Sequence, residues 1–206
     1  MLKSLMIIST VILTGTQLFA QSVVIRGVRL AGSGCGPAAA SALVTPDGKT
    51  MSVLFDNYSA EIGQGSANPQ LKTIQKDCRV LIDVDVPAGF QYALQETDYR
   101  GFAALPASAY GFHRFTQVMP NQPIATMREA QLRGPTSGNY TVAVVQKPGR
   151  LIYSSCNQKS QTIELFSQLS VSYLPNSQDR TMAVINLDSV DTGVSSSFKL
   201  SWRGCK

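Results

Sequence analysis

Histidine is almost absent from this sequence of 206 residues, which contains His113 alone. A site built from several histidine ligands, such as an HExxH zinc protease, is therefore excluded. The sequence also lacks a GxxxxGK[ST] phosphate-binding loop and a GxGxxG dinucleotide motif. Nucleotide-driven chemistry consequently has no support.

Charged residues are also scarce. They make up 15% of the chain, against about 25% in an average soluble domain. The formal net charge of +5 favours acidic partners such as an anionic polysaccharide or a membrane surface. The basic residues are scattered and never form a run of three, so we predict no nucleic-acid partner.

The N-terminus has the three parts of a secretory signal. Lys3 is followed by a short apolar stretch at residues 5–13, and Ala20 supplies the small residue that a signal peptidase needs. No later segment approaches the ~20 apolar residues that a transmembrane helix requires. We therefore predict cleavage near Ala20, a mature chain of residues 21–206, and a location that is secreted, periplasmic or in the cell envelope.

The cysteines indicate an oxidising compartment. All four lie in the predicted mature chain, at Cys35, Cys78, Cys156 and Cys205, and an even number in an exported protein indicates two disulfides. Three pairings are possible. We favour Cys35–Cys78 and Cys156–Cys205 because each bond then closes a loop within one half of the chain. A zinc site built from the four thiolates is disfavoured because no CxxC pair occurs.

The apolar residues alternate with a period of two through most of the mature chain. In residues 80–86 valine and isoleucine face one side, while Asp83 and Asp85 face the other and are expected on a solvated surface. Pro46-Asp47-Gly48 predicts a hairpin turn, and residues 175–179 predict a second one. Further strands are predicted at residues 23–30, 41–44, 51–55, 90–94, 110–118, 124–132, 140–145, 151–154, 163–173, 182–187 and 198–202, with at most two helical turns at 69–76. This pattern predicts one all-β domain over residues 21–206, an antiparallel β-sandwich of jelly-roll or immunoglobulin-like type.

Short segments that occur in order along the chain, together with the four cysteines, form a recognisable set. They are GSGC (32–35), FDNYSAEIG (55–63), KDC (76–78), VPAGFQY (86–92), DYRG (98–101), GP (134–135), GNYT (138–141), SC (155–156) and LSWRGC (200–205). With them the sequence resembles the small secreted proteins of bacteria and fungi grouped as domain of unknown function 4360. The resemblance covers nearly all of the mature chain, and it implies export, a disulfide-bonded β fold and no established activity.

Catalytic residues are not predicted. A serine hydrolase would have to use His113, which lies in an alternating aromatic strand, and no serine lies in a GxSxG motif. We interpret His113 as a packed or surface residue of that strand. A glycosidase needs two carboxylates about 5–10 Å apart. Its candidates are Glu61, Glu96, Asp98, Glu129, Glu164 and the pair Asp83/Asp85.

Calcium is the one cofactor for which the loops offer candidate ligands, because this ion takes oxygen ligands alone. Asp188 and Asp191 lie in one turn with two hydroxyl side chains, and they are the candidate ligands. Asp56, Asn57 and Glu61 form a second cluster. Neither cluster has EF-hand spacing, and residues of these types are also ordinary turn formers.

Two segments are candidate binding sites for a polar ligand. Asp98, Tyr99 and Arg100 place an acid, a ring and a guanidinium side by side, which suits sugar hydroxyls; the alternative is an Asp98–Arg100 ion pair that pins a strand corner. Asp56 and Tyr58 form the other candidate. A third set is ambiguous, since it forms either a binding ridge or, as strand parity favours, part of the core: Tyr110, Phe112 and Phe115.

Together these observations favour a secreted, non-enzymatic protein that binds an extracellular polysaccharide or a protein partner. One alternative is a secreted, glycan-directed hydrolase that uses paired carboxylates. Another is a purely structural component of the envelope or matrix.

Overall fold

A computed structural model describes residues 22–36, 39–120, 125–187 and 196–205, and the predicted signal segment lies outside them. The described residues form twelve β-strands and one short 3-10 helix, Pro148–Arg150, with no α-helix. In chain order the strands are β1 (Val24–Ala31), β2 (Ala40–Val44), β3 (Thr50–Phe55), β4 (Ser59–Ile62), β5 (Thr73–Asp85), β6 (Phe90–Leu105), β7 (Ala109–Val118), β8 (Ala125–Arg133), β9 (Thr136–Val145), β10 (Ser160–Tyr173), β11 (Ala183–Asn186) and β12 (Ser196–Gly204).

These strands form two antiparallel sheets with the hydrophobic core between them. The five-stranded sheet has the order β1-β5-β10-β7-β8. The seven-stranded sheet has the order β2-β3-β12-β6-β11-β4. Strands β12 and β11 pair with successive parts of one edge of β6, and β9 pairs with its other edge. The predicted antiparallel β-sandwich is therefore confirmed.

Alternation along the strands accounts for the core. In β5 the side chains of Val80, Ile82 and Val84 are buried, whereas those between them turn to the outer surface. Met51 and Phe198, from the seven-stranded sheet, belong to the same apolar cluster. Burial of one such side chain contributes about 1.5–3 kcal/mol, so the packing of the two sheets is the main source of stability.

Both favoured disulfides are present. Cys35 and Cys78 are bonded with their Cα atoms 5.4 Å apart, and Cys156 and Cys205 with theirs 5.7 Å apart. The first bond is buried in the core, while the sulfur-bearing residues of the second are only partly buried. Each bond closes a loop of about 45–50 residues, for which chain entropy predicts a stabilisation of roughly 4 kcal/mol.

The hairpin at Pro46-Asp47-Gly48 is confirmed. It joins β2 to β3, with Gly48 at φ 67° and the Thr45 amide donating to the Thr50 carbonyl at 2.9 Å. Glycine adopts this left-handed conformation without a steric penalty.

The hairpin predicted at residues 175–179 is wrong. The strand before it, β10, pairs with β5 and β7, whereas the strand after it, β11, pairs with β4 and β6 in the other sheet. The turn therefore carries the chain from one sheet to the other. Two other local expectations also fail, because residues 151–154 form a loop and the helical turns expected at 69–76 give way to a turn followed by the start of β5.

Candidate functional site

The outer face of the five-stranded sheet carries a concentrated set of polar and aromatic side chains. Strand pairing aligns Gln75 of β5, Ser170 of β10, Phe112 of β7 and Gln131 of β8 in one row across the sheet. Directly paired residues of neighbouring antiparallel strands project to the same side. We call this surface, centred on that row and its two neighbours, the outer face.

The two neighbouring rows extend the same chemistry. One contains Asp77, Gln168, Arg114 and Glu129. The other row is Thr73, Ser172, Tyr110 and Arg133. Amides, hydroxyls, guanidinium groups and carboxylates thus surround two aromatic rings.

The rings of Tyr110 and Phe112 are neighbours on this face. They are two residues apart on β7, half-buried, and in contact with their centroids 5.6 Å apart and their planes nearly perpendicular. The prediction that strand parity places these two rings in the core is wrong. Parity instead puts Gly111, His113 and Phe115 inside and turns Tyr110 and Phe112 outward.

A depression of about 240 Å³ lies beside the rings. It is lined by Gln75, Phe112, Arg114, Glu129, Gln168 and Ser170. The Arg114 guanidinium donates to Oε2 of Glu129 through Nε at 2.8 Å, and its terminal nitrogen lies 2.7 Å from the same oxygen. Each of these two charged side chains is therefore oriented by the other and still partly open to solvent.

Such a surface suits a ligand that combines an apolar face with many hydroxyls. An aromatic ring offers a flat apolar area, while glutamine amides both donate and accept and an arginine presents several donors in one plane. The sequence carries one signal for this site. Every second residue of β10 from Ser160 to Ser172 is polar except Phe166, which marks a solvent-facing strand surface.

The segment with Asp98, Tyr99 and Arg100 lies in the middle of β6 rather than at a strand corner. Tyr99 points into the core, is 2% exposed, and packs on Phe115 with their ring centroids 4.0 Å apart. Its ring is therefore not on the surface beside Asp98 and Arg100. Those two side chains lie on the outer side of the seven-stranded sheet, with 3.8 Å between their charged groups.

Tyr58 is also a core residue. It is 1% exposed, and its hydroxyl donates to the Ser167 carbonyl at 2.7 Å, which ties the turn before β4 to a strand of the opposite sheet. Burial raises its pKa. Asp56, in contrast, is exposed, so the structure does not bring the Asp56 carboxylate and the Tyr58 ring together on one surface.

His113 is fully buried between the sheets. Burial lowers its pKa to about 3, and solvent does not reach it, so its environment is that of a packed core residue. Ser154 is likewise buried, and its Oγ accepts the Tyr92 amide at 3.1 Å. Both side chains thus have structural roles.

Most of the candidate carboxylates are paired with arginine. Among them, Asp83 lies 2.9 Å from Arg29 and Asp85 lies 2.6 Å from Arg26. Hydrogen bonds lower both pKa values: from Arg29 and then Thr162 for Asp83, and from Ser160 and then Arg26 for Asp85. A glycosidase acid needs a raised pKa instead. The expectation of a solvated Asp83/Asp85 face needs correction as well, because Asp85 is only 8% exposed.

Among the remaining carboxylates, Glu96 and Asp98 lie two residues apart on the same side of β6, whereas Glu61 and Glu164 lie on other strands. Glu164 pairs with Arg79 at 3.2 Å, and Glu61 accepts the Ala67 amide at 3.2 Å. Glu96 lies on the outer side of the seven-stranded sheet, opposite Lys199. Each carboxylate of the Glu96/Asp98 pair has a cationic neighbour, Lys199 for Glu96 and Arg100 for Asp98, so the arrangement does not favour the hydrolase alternative.

The predicted calcium ligands Asp188 and Asp191 lie outside the described residues, so this site stays a prediction. Within the described part of the chain, no three Asp, Glu, His or Cys side chains come together as a metal site. The second cluster gathers Asn57 and Glu61 at a cleft that also contains Lys76, and a cation there opposes binding of a metal ion.

A family model described as "Domain of unknown function (DUF4360)" matches residues 21–205. The chain belongs to this family. A curated relative, an uncharacterized secreted protein of Arthroderma benhamiae, is 27% identical over 181 residues, which are 88% of this chain and 71% of the relative. In the described ranges no helix is long and apolar enough to cross a membrane.

Two solved structures are similar to this member of the DUF4360 family. One is TmCBM61 in complex with β-1,4-galactotriose, with 7% identity, coverage of 87% of this chain and 90% of the other, and a TM-score of 0.33. The other is a family 11 carbohydrate-binding module from Clostridium thermocellum in complex with a β-1,3-1,4-mixed-linked tetrasaccharide. It has 7% identity, coverage of 86% and 94%, and a TM-score of 0.20.

Proposed function

We propose that this DUF4360 protein is a secreted, non-enzymatic carbohydrate-binding protein and that the outer face is its glycan site. The observation that carries the proposal is the contact pair Tyr110–Phe112 beside a depression walled by planar polar side chains. Sugars present C–H groups on one side of the ring and hydroxyls around its rim. Tyr110 and Phe112 would pack on the former, and Gln75, Gln168 and Arg114 would bond to the latter.

The shape of the site favours a chain over a single sugar. The depression is lined by residues of four strands, and the polar rows continue across the same four. Neighbouring strands lie about 4.8 Å apart, so the rows from β5 to β8 span about 14 Å, enough for two or three sugar residues. We therefore expect oligosaccharides to bind more tightly than monosaccharides.

The test is a binding titration of the disulfide-bonded mature protein against a panel of neutral soluble glycans. We expect Tyr110→Ala/Phe112→Ala to weaken binding at least about tenfold, since the loss of about 1.4 kcal/mol suffices for that change. Gln168→Ala, which removes hydrogen bonds without altering the rings, is expected to weaken it less.

Phe102→Ala is the matched control, because Phe102 is a half-buried aromatic residue on the outer side of the other sheet. Its removal is expected to leave glycan binding unchanged. Thermal unfolding of each variant verifies that it is folded. Glycan binding that survives the double substitution at Tyr110 and Phe112 would show that the site lies elsewhere.

A further inference from the structure

A second cavity, of about 550 Å³, opens where β8 of one sheet approaches β9 of the other. We call it the edge cleft. Its walls include Val144 and the exposed apolar side chains of Met127 and Val145. Arg128, Lys147 and Arg150 supply its charge, and no acidic side chain lines it among the described residues.

The two arginines of the edge cleft differ from most other arginines in the described part of the chain. Five arginines form ion pairs with carboxylates: Arg26, Arg29, Arg79, Arg100 and Arg114. Two more, Arg180 and Arg203, lie over tyrosine rings. In the part of the chain that the structure describes, Arg128, Arg133 and Arg150 have no carboxylate within ion-pair distance, and two of these three line the cleft.

Three cations close together, without acids, repel one another. All three are exposed, so salt screens this repulsion, and an anion bound among them relieves it most at low salt. Arginine is well suited to binding such an anion, since its planar guanidinium group can donate two hydrogen bonds to two oxygens of a carboxylate or sulfate.

The edge cleft also borders the outer face. Alternation along β8 turns Met127, Glu129 and Gln131 toward the outer face, whereas Thr126 and Arg128 take the opposite parity and line the cleft. Met127 lines the cleft as well, one row from the Arg114–Glu129 pair. A chain lying across the outer face and over the edge at β8 therefore reaches the cleft.

We propose that the edge cleft binds an acidic group, the carboxylate of a uronic acid or a sulfate ester, of a polysaccharide held on the outer face. This inference rests on the proposed function and specifies that the bound glycan is acidic. The apolar side chains of Met127, Val144 and Val145 would contact the sugar ring that carries the acid, and Arg128, Lys147 and Arg150 would neutralise it.

The experiment compares dissociation constants of the mature protein for three sets of oligosaccharides of equal length: uronic-acid oligomers, the same oligomers with the carboxyls reduced to alcohols, and sulfated oligomers. We expect at least about tenfold tighter binding of an acidic set than of the neutral set, with a difference that shrinks as salt is raised. The two acidic sets identify whether carboxylate or sulfate is the preferred group.

Arg128→Gln/Lys147→Gln/Arg150→Gln is expected to abolish the preference while neutral binding persists. The control Lys49→Gln/Lys159→Gln/Lys199→Gln removes the same charge from exposed positions elsewhere and is expected to keep the preference. An equal loss in both variants, or no loss in the first, would overturn the edge cleft as the acid site.

The outcomes separate the two proposals. If the ring variant Tyr110→Ala/Phe112→Ala retains neutral binding, the outer-face site fails, whatever the cleft does. If neutral binding depends on the rings but acidic oligomers gain nothing, only the edge cleft fails. Single-stranded homopolymeric RNA that binds more tightly than every acidic glycan, through the same three cations, would overturn the glycan assignment of the cleft.

Discussion

Nε2 of His113 lies 3.0 Å from Oγ of Ser167, and both side chains are buried between the two sheets. The other ring nitrogen, Nδ1, lies 3.3 Å from the Tyr140 hydroxyl. The sole histidine is thus enclosed by hydroxyl groups and rings, and burial lowers its pKa to about 3. It is neutral in the folded protein over the whole physiological range.

The first prediction is that mild acid destabilises the protein through His113. The unfolded chain takes up a proton near pH 6.5, whereas the folded protein does not until about pH 3, so the unfolded state binds more protons between these values. The free energy of unfolding therefore decreases as the pH is lowered through that window, by up to about 1.4 kcal/mol per pH unit. Urea unfolding from about pH 7 to about pH 4.5 measures the slope.

His113→Gln is the comparison for this slope. Asp83 and Asp85 have lowered pKa values, so their stabilisation is lost only as the pH falls below the ordinary value of 3.8, and they do not affect the slope above about pH 4.5. We expect the variant to be less stable at neutral pH but to have a flatter profile. An equal slope in the two proteins would rule out His113 as the cause.

The second prediction concerns Gly101. A Cβ atom at this position would collide with the Asn186 carbonyl oxygen and approach the Tyr140 ring, which contacts His113. We expect Gly101→Ala to lower the free energy of unfolding by about 1–3 kcal/mol, since backbone and ring must both shift. Equilibrium urea unfolding is the measurement.

Gly138→Ala is the matched control, two residues before Tyr140 on β9. An added Cβ there meets nothing within 4 Å, so we expect a neutral effect or a gain of up to about 1 kcal/mol from the stiffer unfolded chain. Equal decreases in the free energy of unfolding at the two positions would show that the close contact at Gly101 does not cause the destabilisation.

The third prediction is that the two disulfides differ in how fast they are reduced. Their loops are of similar length, 43 and 49 residues apart in sequence, so they are expected to stabilise similarly. Cys35 and Cys78 are buried, while Cys156 and Cys205 are partly exposed. Thiol reagents therefore reach the second bond first.

Limited treatment of the folded protein with a mild reductant, followed by alkylation and peptide mass spectrometry, measures the order of reduction. We expect a species alkylated at Cys156 and Cys205 alone to accumulate first. Simultaneous labelling of all four cysteines would mean that reduction requires global unfolding.

The fourth prediction is calcium binding at Asp188 and Asp191. A calcium concentration of 100 times the Kd adds ~2.7 kcal/mol to the free energy of unfolding, and a domain of this size responds with a rise in Tm of roughly 5–11 °C. Thermal unfolding in EDTA and in calcium tests it, with Asp188→Asn/Asp191→Asn expected to show no rise. A wild-type Tm that calcium leaves unchanged would dismiss the site.

The fold could be read largely from local patterns, because alternation along a strand is a property of neighbouring residues. Val80, Ile82 and Val84 face the core as the sequence indicates. Alternation separates two faces but does not say which one is buried when both are apolar. That is why Tyr110 and Phe112 were assigned to the wrong face.

The candidate site could not be predicted, because its residues are brought together by pairing between distant strands. Gln75 and Ser170 are directly paired although they are 95 positions apart in number, and Phe112 is next to Ser170 on the other side. The same limitation explains the error at residues 175–179. A turn motif indicates that the chain reverses, whereas the partner strand decides which sheet it enters.

The last of the described strands, β12, lies in the interior of the seven-stranded sheet, between β3 and β6. Until residues 196–204 are available, β3 and β6 each expose an unpaired edge, and such edges promote association with other chains. The sheet therefore cannot be completed progressively from the N-terminal side as the polypeptide is synthesised. Truncation before Ser196 would therefore remove an interior strand of the sheet rather than trim its periphery, and it would leave the facing edges of β3 and β6 open to other chains.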